Sequence, residues 1–307
     1  MHRMRILPFS AVVIMASLTL ARAEAVVDSP SAPSEHNLAA PIQSADAELQ
    51  DLLKGEGPLL LAGRLLDRPL LTTLYERRGF LPLWDAERRE GLRRAIAEGA
   101  SHGLDPADYA LPDFPDPAEV SPAHELLLTD AFLRYARALA QGRVVLHKDD
   151  PDWLIPTPSF DAIAAVEEAA RGTIQEIAAS FAPHDPRYEA LRQALARYRQ
   201  WEAAGGWPKL PAKTSIRPGE RGPAVATLRH RLAIEGYLGR DNGNAKYEAG
   251  LLTAVKAFQT AHGIRPDGNV GAATVAALNV SATMRVNEIL MSLERWRMLP
   301  HEMPNDR

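Results

Sequence analysis

Apolar residues recur along much of the chain at the spacing of one helical face. Leu70, Leu71, Leu74 and Tyr75 fall at i, i+1, i+4 and i+5, a stripe that a 3.6-residue repeat brings together. Phe132, Tyr135, Ala136 and Leu139 repeat it within Thr129–Ala140, where Thr129 is the expected cap and Gly142 the expected stop. Tyr188, Leu191, Leu195 and Tyr198 form a further stripe, with Pro186 near its start. Alternating β-branched runs are nearly absent from Asp51 to Lys209, so this block is expected to be mainly α. Pro-rich joints at 111–117 and 150–158 separate its helices, and Trp84, Trp153 and Trp201 are the expected anchors of their packing.

A second pattern follows the run W-P-K-L-P-A-K. Ser215 to Gly222 reads as a capped turn, and Ala224 to Ile234 as a helix with Val225, Leu228 and Leu232 inward. A second helix spans about Ala249 to His262, with Leu251, Leu252, Val255 and Phe258 on one face and Gly263 as its stop. Asp267-Gly268 predicts a tight turn in which glycine supplies a positive φ. A short third helix starts near Gly271 and uses Thr274, Val275 and Leu278. These segments predict a three-helix bundle of about 65 residues, a size that folds without disulfides or metal.

The first residues differ. His2, Arg3 and Arg5 precede the apolar stretch Ile6–Leu20, and Ala21-Arg22-Ala23 supplies a small-x-small cleavage pattern. Residues 1–23 therefore read as a secretory signal cleaved after Ala23, predicting a periplasmic protein with no membrane span after cleavage. Residues 24–50, rich in Ser, Pro and Ala toward their start, are expected to form a flexible tether. Removing Arg3, Arg5 and Arg22 takes the formal charge from −4 to −7, which points away from nucleic acid as a partner. The 307 residues include no cysteine, which excludes disulfides, metal–thiolate sites and a thiolate nucleophile. The nine histidines show no metal-ligand spacing. No metal or other cofactor is expected.

Two resemblances rest on these residues. The run from Arg217-Pro-Gly-Glu-Arg-Gly through Gly236-Tyr-Leu, and that from Tyr247 through Phe258-Gln, Asp267-Gly and Ala277-Leu-Asn279, are similar to the bacterial peptidoglycan-binding domain over about 214–280. Phe80-Leu-Pro-Leu-Trp84, His102 to Tyr109, Leu128 to Tyr135, Gly142-Arg-Val and Pro186 to Arg192 resemble the helical scaffold domain of large L,D-transpeptidases, placed at 51–213. Arg285 to Pro300 resembles the helix that leads into the catalytic domain of that family, and is placed at 284–300. The family's reaction implies a cysteine in a Ser-His-Gly-Cys run on a downstream β-rich domain. Ser101-His102-Gly103 reproduces three letters of that run, but Leu104 follows. Gly103 is better read as a helix C-cap and His102 as a last-turn cation.

The resemblance implies an exported, non-catalytic scaffold that binds peptidoglycan glycan strands and stem peptides, with a catalytic transpeptidase domain as a further partner. The alternative is a truncated or split L,D-transpeptidase whose cysteine lies in a downstream domain. Arg229, Tyr247, Gln259 and Asn269 are the candidate ligand contacts, and no catalytic residue is assigned. Each has a structural reading beside it: Tyr247 packing on the second helix, Gln259 bridging the following turn, Asn269 completing that turn. His147-Lys-Asp-Asp150 and Glu167-Glu168 read as solvated surface, because adjacent carboxylates do not face each other. The apolar face of Val286, Ile289, Leu290, Leu293 and Trp296 either packs on the scaffold or stands open.

Overall fold

The computed structural model describes residues 45–111, 121–144, 156 and 158–301. The expected signal, Trp153, the cluster at 147–150 and most of both Pro-rich joints lie outside these residues. The described chain is mainly α, with eleven α-helices and one two-stranded hairpin.

The order begins α1 (Ala45–Lys54), β1 (Leu59–Leu61), β2 (Arg64–Leu66), α2 (Arg68–Arg77) and α3 (Ala86–Glu98). It continues α4 (Pro122–Gln141), α5 (Ala162–Ala169), α6 (Ile174–Ser180) and α7 (Pro186–Ala203). Then come α8 (Pro223–Ile234), α9 (Ala249–Ala261), α10 (Ala272–Leu278) and α11 (Ala282–Arg297). Short polar side chains start most of the long helices. Asp67, Asp85, Ser121, Asp161 and Asp185 each accept a backbone N–H of the first turn, satisfying donors that have no partner inside the helix. Proline follows the cap in α4 and α7, where its missing N–H costs nothing.

Three features depart from expectation. Helix α1 reaches back to Ala45, into the stretch read as tether, because Leu49 and Leu53 bury one of its faces in the scaffold core. Helix α4 starts seven residues before Thr129, with Ser121 as its cap. Thr129 is instead buried in mid-helix and donates to the Glu125 carbonyl one turn back at 3.1 Å. The hairpin of leucines was not anticipated. Ala62 and Gly63, with φ of 48° and 75°, make its two-residue turn and set Leu59 opposite Leu66.

The helices bury two cores. The larger runs from α1 through α7 and takes in Val286 and Leu293 of α11. The smaller contains Leu210, Ile216 and the inward residues of α8, α9 and α10. The apolar face of α11 is thus packed against the scaffold. Gly103, with φ of 76°, lets Leu290 and Leu293 approach so closely that a Cβ there would stand 2.7 Å from Leu290 Cδ2. As expected, Gly103 ends the turn Gly99–His102 in the left-handed region.

Candidate functional site

The peptide chain of the small bundle is tied into one loop surface by backbone pairing. Ile216 bridges Val270 and Arg221 bridges Lys246. Gly219 donates to the Tyr247 carbonyl at 2.9 Å, and Tyr247 N donates to Glu220 at 2.8 Å. The Tyr247 hydroxyl donates to the Gly268 carbonyl at 2.6 Å, joining the third loop to the other two. The outward side chains of these loops are polar: Arg217, Glu220, Arg221, Lys246, Arg265, Asp267 and Asn269 are all exposed.

The four candidate contacts occupy two different positions. Arg229, Tyr247 and Gln259 are interior, at 2%, 2% and 1% exposure, whereas Asn269 is at the surface. Gln259 spans the Asp267-Gly268 turn: its Nε2 donates to the Asn269 carbonyl at 2.9 Å and its Oε1 accepts Gly268 N at 2.9 Å. Arg229 donates to the Asn244 and Lys246 carbonyls at 2.9 and 3.2 Å and pairs with Glu248 at 2.9 Å. Burial pushes the Tyr247 phenol well above its usual range, so it stays a donor. These three shape the loops, and Asn269 is displayed by them. The Asn269 N–H bonded to Asp267 holds that carboxyl below the ordinary value. Gly268 has φ of 80°, and a Cβ there would fall 2.2 Å from Leu252 Cδ1, so glycine is required on two counts.

The bundle meets the scaffold at a buried ion pair. Arg231 on α8 is fully enclosed, donates to Glu235 at 2.5 Å and to the Leu278 carbonyl at 3.0 Å, and lies 3.8 Å from the Trp207 ring centroid. Burial lowers its pKa, and Glu235 opposes that shift. From α7, Tyr198 donates to the other Glu235 oxygen at 2.8 Å. Tyr198, Trp201 and Trp207 meet edge to face around the pair, and Trp207 Nε1 donates to Val280 at 2.9 Å. Trp201 anchors packing as expected; Trp207 and Arg231 were missed.

Within the scaffold, the expectation of a cationic His102 is corrected. The ring is 6% exposed and lies 3.0 Å from the Tyr188 hydroxyl through Nδ1. Burial, with Arg192 and Arg297 adding repulsion, lowers its pKa to about 3. It is therefore neutral at pH 7. Ser101 Oγ accepts from Arg192 at 2.7 Å, so the Ser-His-Gly triplet is built into the packing. A buried carboxyl that the sequence did not flag, Glu125, accepts from Leu83 N at 2.6 Å, Trp84 N at 3.3 Å and the Tyr75 hydroxyl at 2.8 Å. Burial raises its pKa. With Thr129, which accepts from Trp84 Nε1 at 2.8 Å, it fastens the Phe80–Trp84 segment onto α4. Glu167 is spent on Arg77 at 3.0 Å, and Glu168 is exposed.

Among the described residues no group of three His, Asp or Glu side chains could hold a metal ion. None of the described helices is long and apolar enough to cross a membrane.

Residues 69–195 match the family model of the scaffold domain, and residues 221–278 match that of the peptidoglycan binding domain. No curated protein matches the chain. The two matches together cover more than half of the sequence, and the chain carries an L,D-transpeptidase scaffold domain followed by a peptidoglycan-binding domain. It is a peptidoglycan-associated protein of the cell wall.

Proposed function

We propose that this is an exported periplasmic protein, cleaved after Ala23, that holds peptidoglycan without cutting or joining it. The observation that carries this reading is the loop surface of the bundle. Three loops, cross-bonded through Tyr247, Gln259 and Arg229, present Arg221, Lys246 and Asn269 toward solvent. Amides and cations on a shallow surface match the hydroxyls, amides and carboxylates of glycan strands and stem peptides. Affinity for one unit is weak on such a surface, and repeated engagement along the polymer supplies retention. The missing cysteine supports the absence of transpeptidation within these 307 residues. The scaffold then positions a cysteine-bearing catalytic domain against the bound wall.

Sedimentation of the mature protein with purified sacculi tests this. Wild type is expected in the pellet, and Asn269→Ala and Lys246→Glu are expected to release it with unchanged thermal midpoints. Recovery of wild type wholly in the supernatant defeats the proposal. The resemblance of α11 to the lead-in helix of L,D-transpeptidases favours a second reading, a split or truncated enzyme. An in-frame or frameshifted Ser-His-Gly-Cys run in the DNA beyond codon 307 decides for it.

A further inference from the structure

The scaffold has a cleft of about 320 Å³ between α2 and α5 that its own packing leaves open. Leu74 and Val166, both buried, form its floor. Leu81 stands at its edge 58% exposed, a large apolar side chain with no cover. Three arginines line it, and they are not equally occupied. Arg77 is neutralised by Glu167 at 3.0 Å. Arg78 gives one N–H to the Pro82 carbonyl at 3.3 Å, while its Nε is enclosed and bonded to nothing. The buried Glu125 carboxyl is near enough to feel the Arg78 charge. The Arg171 guanidinium makes no hydrogen bond or ion pair with any described residue and is exposed.

An enclosed guanidinium donor without an acceptor is costly, and a free guanidinium beside it matches the two oxygens of a carboxylate. An apolar floor beside those donors suits a ligand that carries methyl groups next to its carboxylates. The volume is that of a small-ligand pocket, room for two or three small residues. We propose that this cleft is a second wall-recognition site, which takes carboxylates of a stem peptide on Arg78 and Arg171. Its alanine methyl groups lie against Leu74, Leu81 and Val166. The stem peptide as the source of the acidic peptide rests on the peptidoglycan reading above; the charge and shape of the cleft do not.

The test is titration of the mature protein with the free stem tripeptide, alanyl-γ-glutamyl-diaminopimelate, followed by amide chemical shifts and by calorimetry. Saturable binding with shifts on α2 and α5 is expected. Arg171→Glu and Arg78→Lys should each weaken it about tenfold, the second because a lysine keeps the charge and loses the fork. Arg171 has no partner to lose among the described residues, so its variant should keep the wild-type thermal midpoint. Amidating the peptide's carboxylates should abolish binding. Absence of binding, shifts confined to 221–278, or wild-type affinity in both variants overturns the proposal. Equal binding of an all-L Ala-Glu-Ala peptide overturns the stem peptide as the source. Sacculus sedimentation of Arg171→Glu, run in parallel, should still bring the variant into the pellet because the bundle surface is intact. A wild type that fails to sediment defeats the peptidoglycan reading, whereas a wild type that sediments but ignores the tripeptide defeats the cleft alone.

Discussion

Replacing Arg231 by methionine is the sharpest test of how the bundle is held. Methionine keeps most of the apolar stem against Trp207 and removes only the charged head. That head makes the 2.5 Å contact to Glu235, the 3.0 Å bond to the Leu278 carbonyl and the 3.8 Å approach to the indole. Its loss leaves Glu235, whose side chain is 1% exposed, with the Tyr198 hydroxyl as its one remaining hydrogen-bond partner among the described residues. Removing one member of a buried pair costs about 3–5 kcal/mol, most of it the penalty of the charge left behind. A whole domain is stable by only about 5–15 kcal/mol, so the change should dominate an unfolding curve. Urea unfolding followed by tryptophan emission reads the site directly, since Trp201 and Trp207 border it. The double variant Arg231→Met with Glu235→Gln should recover about half of the loss, because the neutral amide still accepts from Tyr198. A single variant within about 1 kcal/mol of wild type, or a double variant as unstable as the single, would refute the buried-pair account.

Two further outcomes follow from the scaffold. Between pH 6.5 and about 3 the unfolded chain binds a proton on His102 that the folded chain refuses. Its contribution to stability is therefore full above pH 6.5 and lost as pH falls, at up to about 1.4 kcal/mol per unit. Denaturation midpoints measured from pH 7 to pH 4 should fall less steeply in His102→Gln; parallel curves would count against a neutral buried ring. Leu293, on the inward face of α11, is fully buried in the scaffold core, and Leu293→Ala should cost about 3 kcal/mol in the same urea assay. An unchanged midpoint would mean that α11 is not part of the scaffold core.

The helices were legible wherever one face alone is apolar, as in α2, α7 and α9, because only a 3.6-residue period gathers those positions. The Asp267-Gly268 turn was legible because its glycine must take a positive φ. Polar side chains were harder to place. Arg229, Tyr247 and Gln259 look like ligand groups in a list of residues, yet their donors meet backbone carbonyls of loops distant in sequence. Thr129 reads as a cap because threonine favours that position; here Tyr75 and Trp84, about fifty residues away, draw it into the core. The hairpin escaped because Leu60 and Leu65 face solvent at 63% and 67% exposure, which erases the alternation that betrays a strand. The Arg231–Glu235 pair could be seen as an i,i+4 contact, but nothing local foretold that Trp207 and Tyr198 would close over it.

That closure turns the bundle from a lure on a line into a bracket on a beam. Indoles and a phenol wall off the charges, so added salt cannot loosen the joint as it would a surface ion pair. The loop surface is then joined to the scaffold helices through buried charged and aromatic groups rather than through surface charge. On the proposed reading, a glycan strand seated on the loops would be linked through this joint to the scaffold and to any catalytic domain that the scaffold carries.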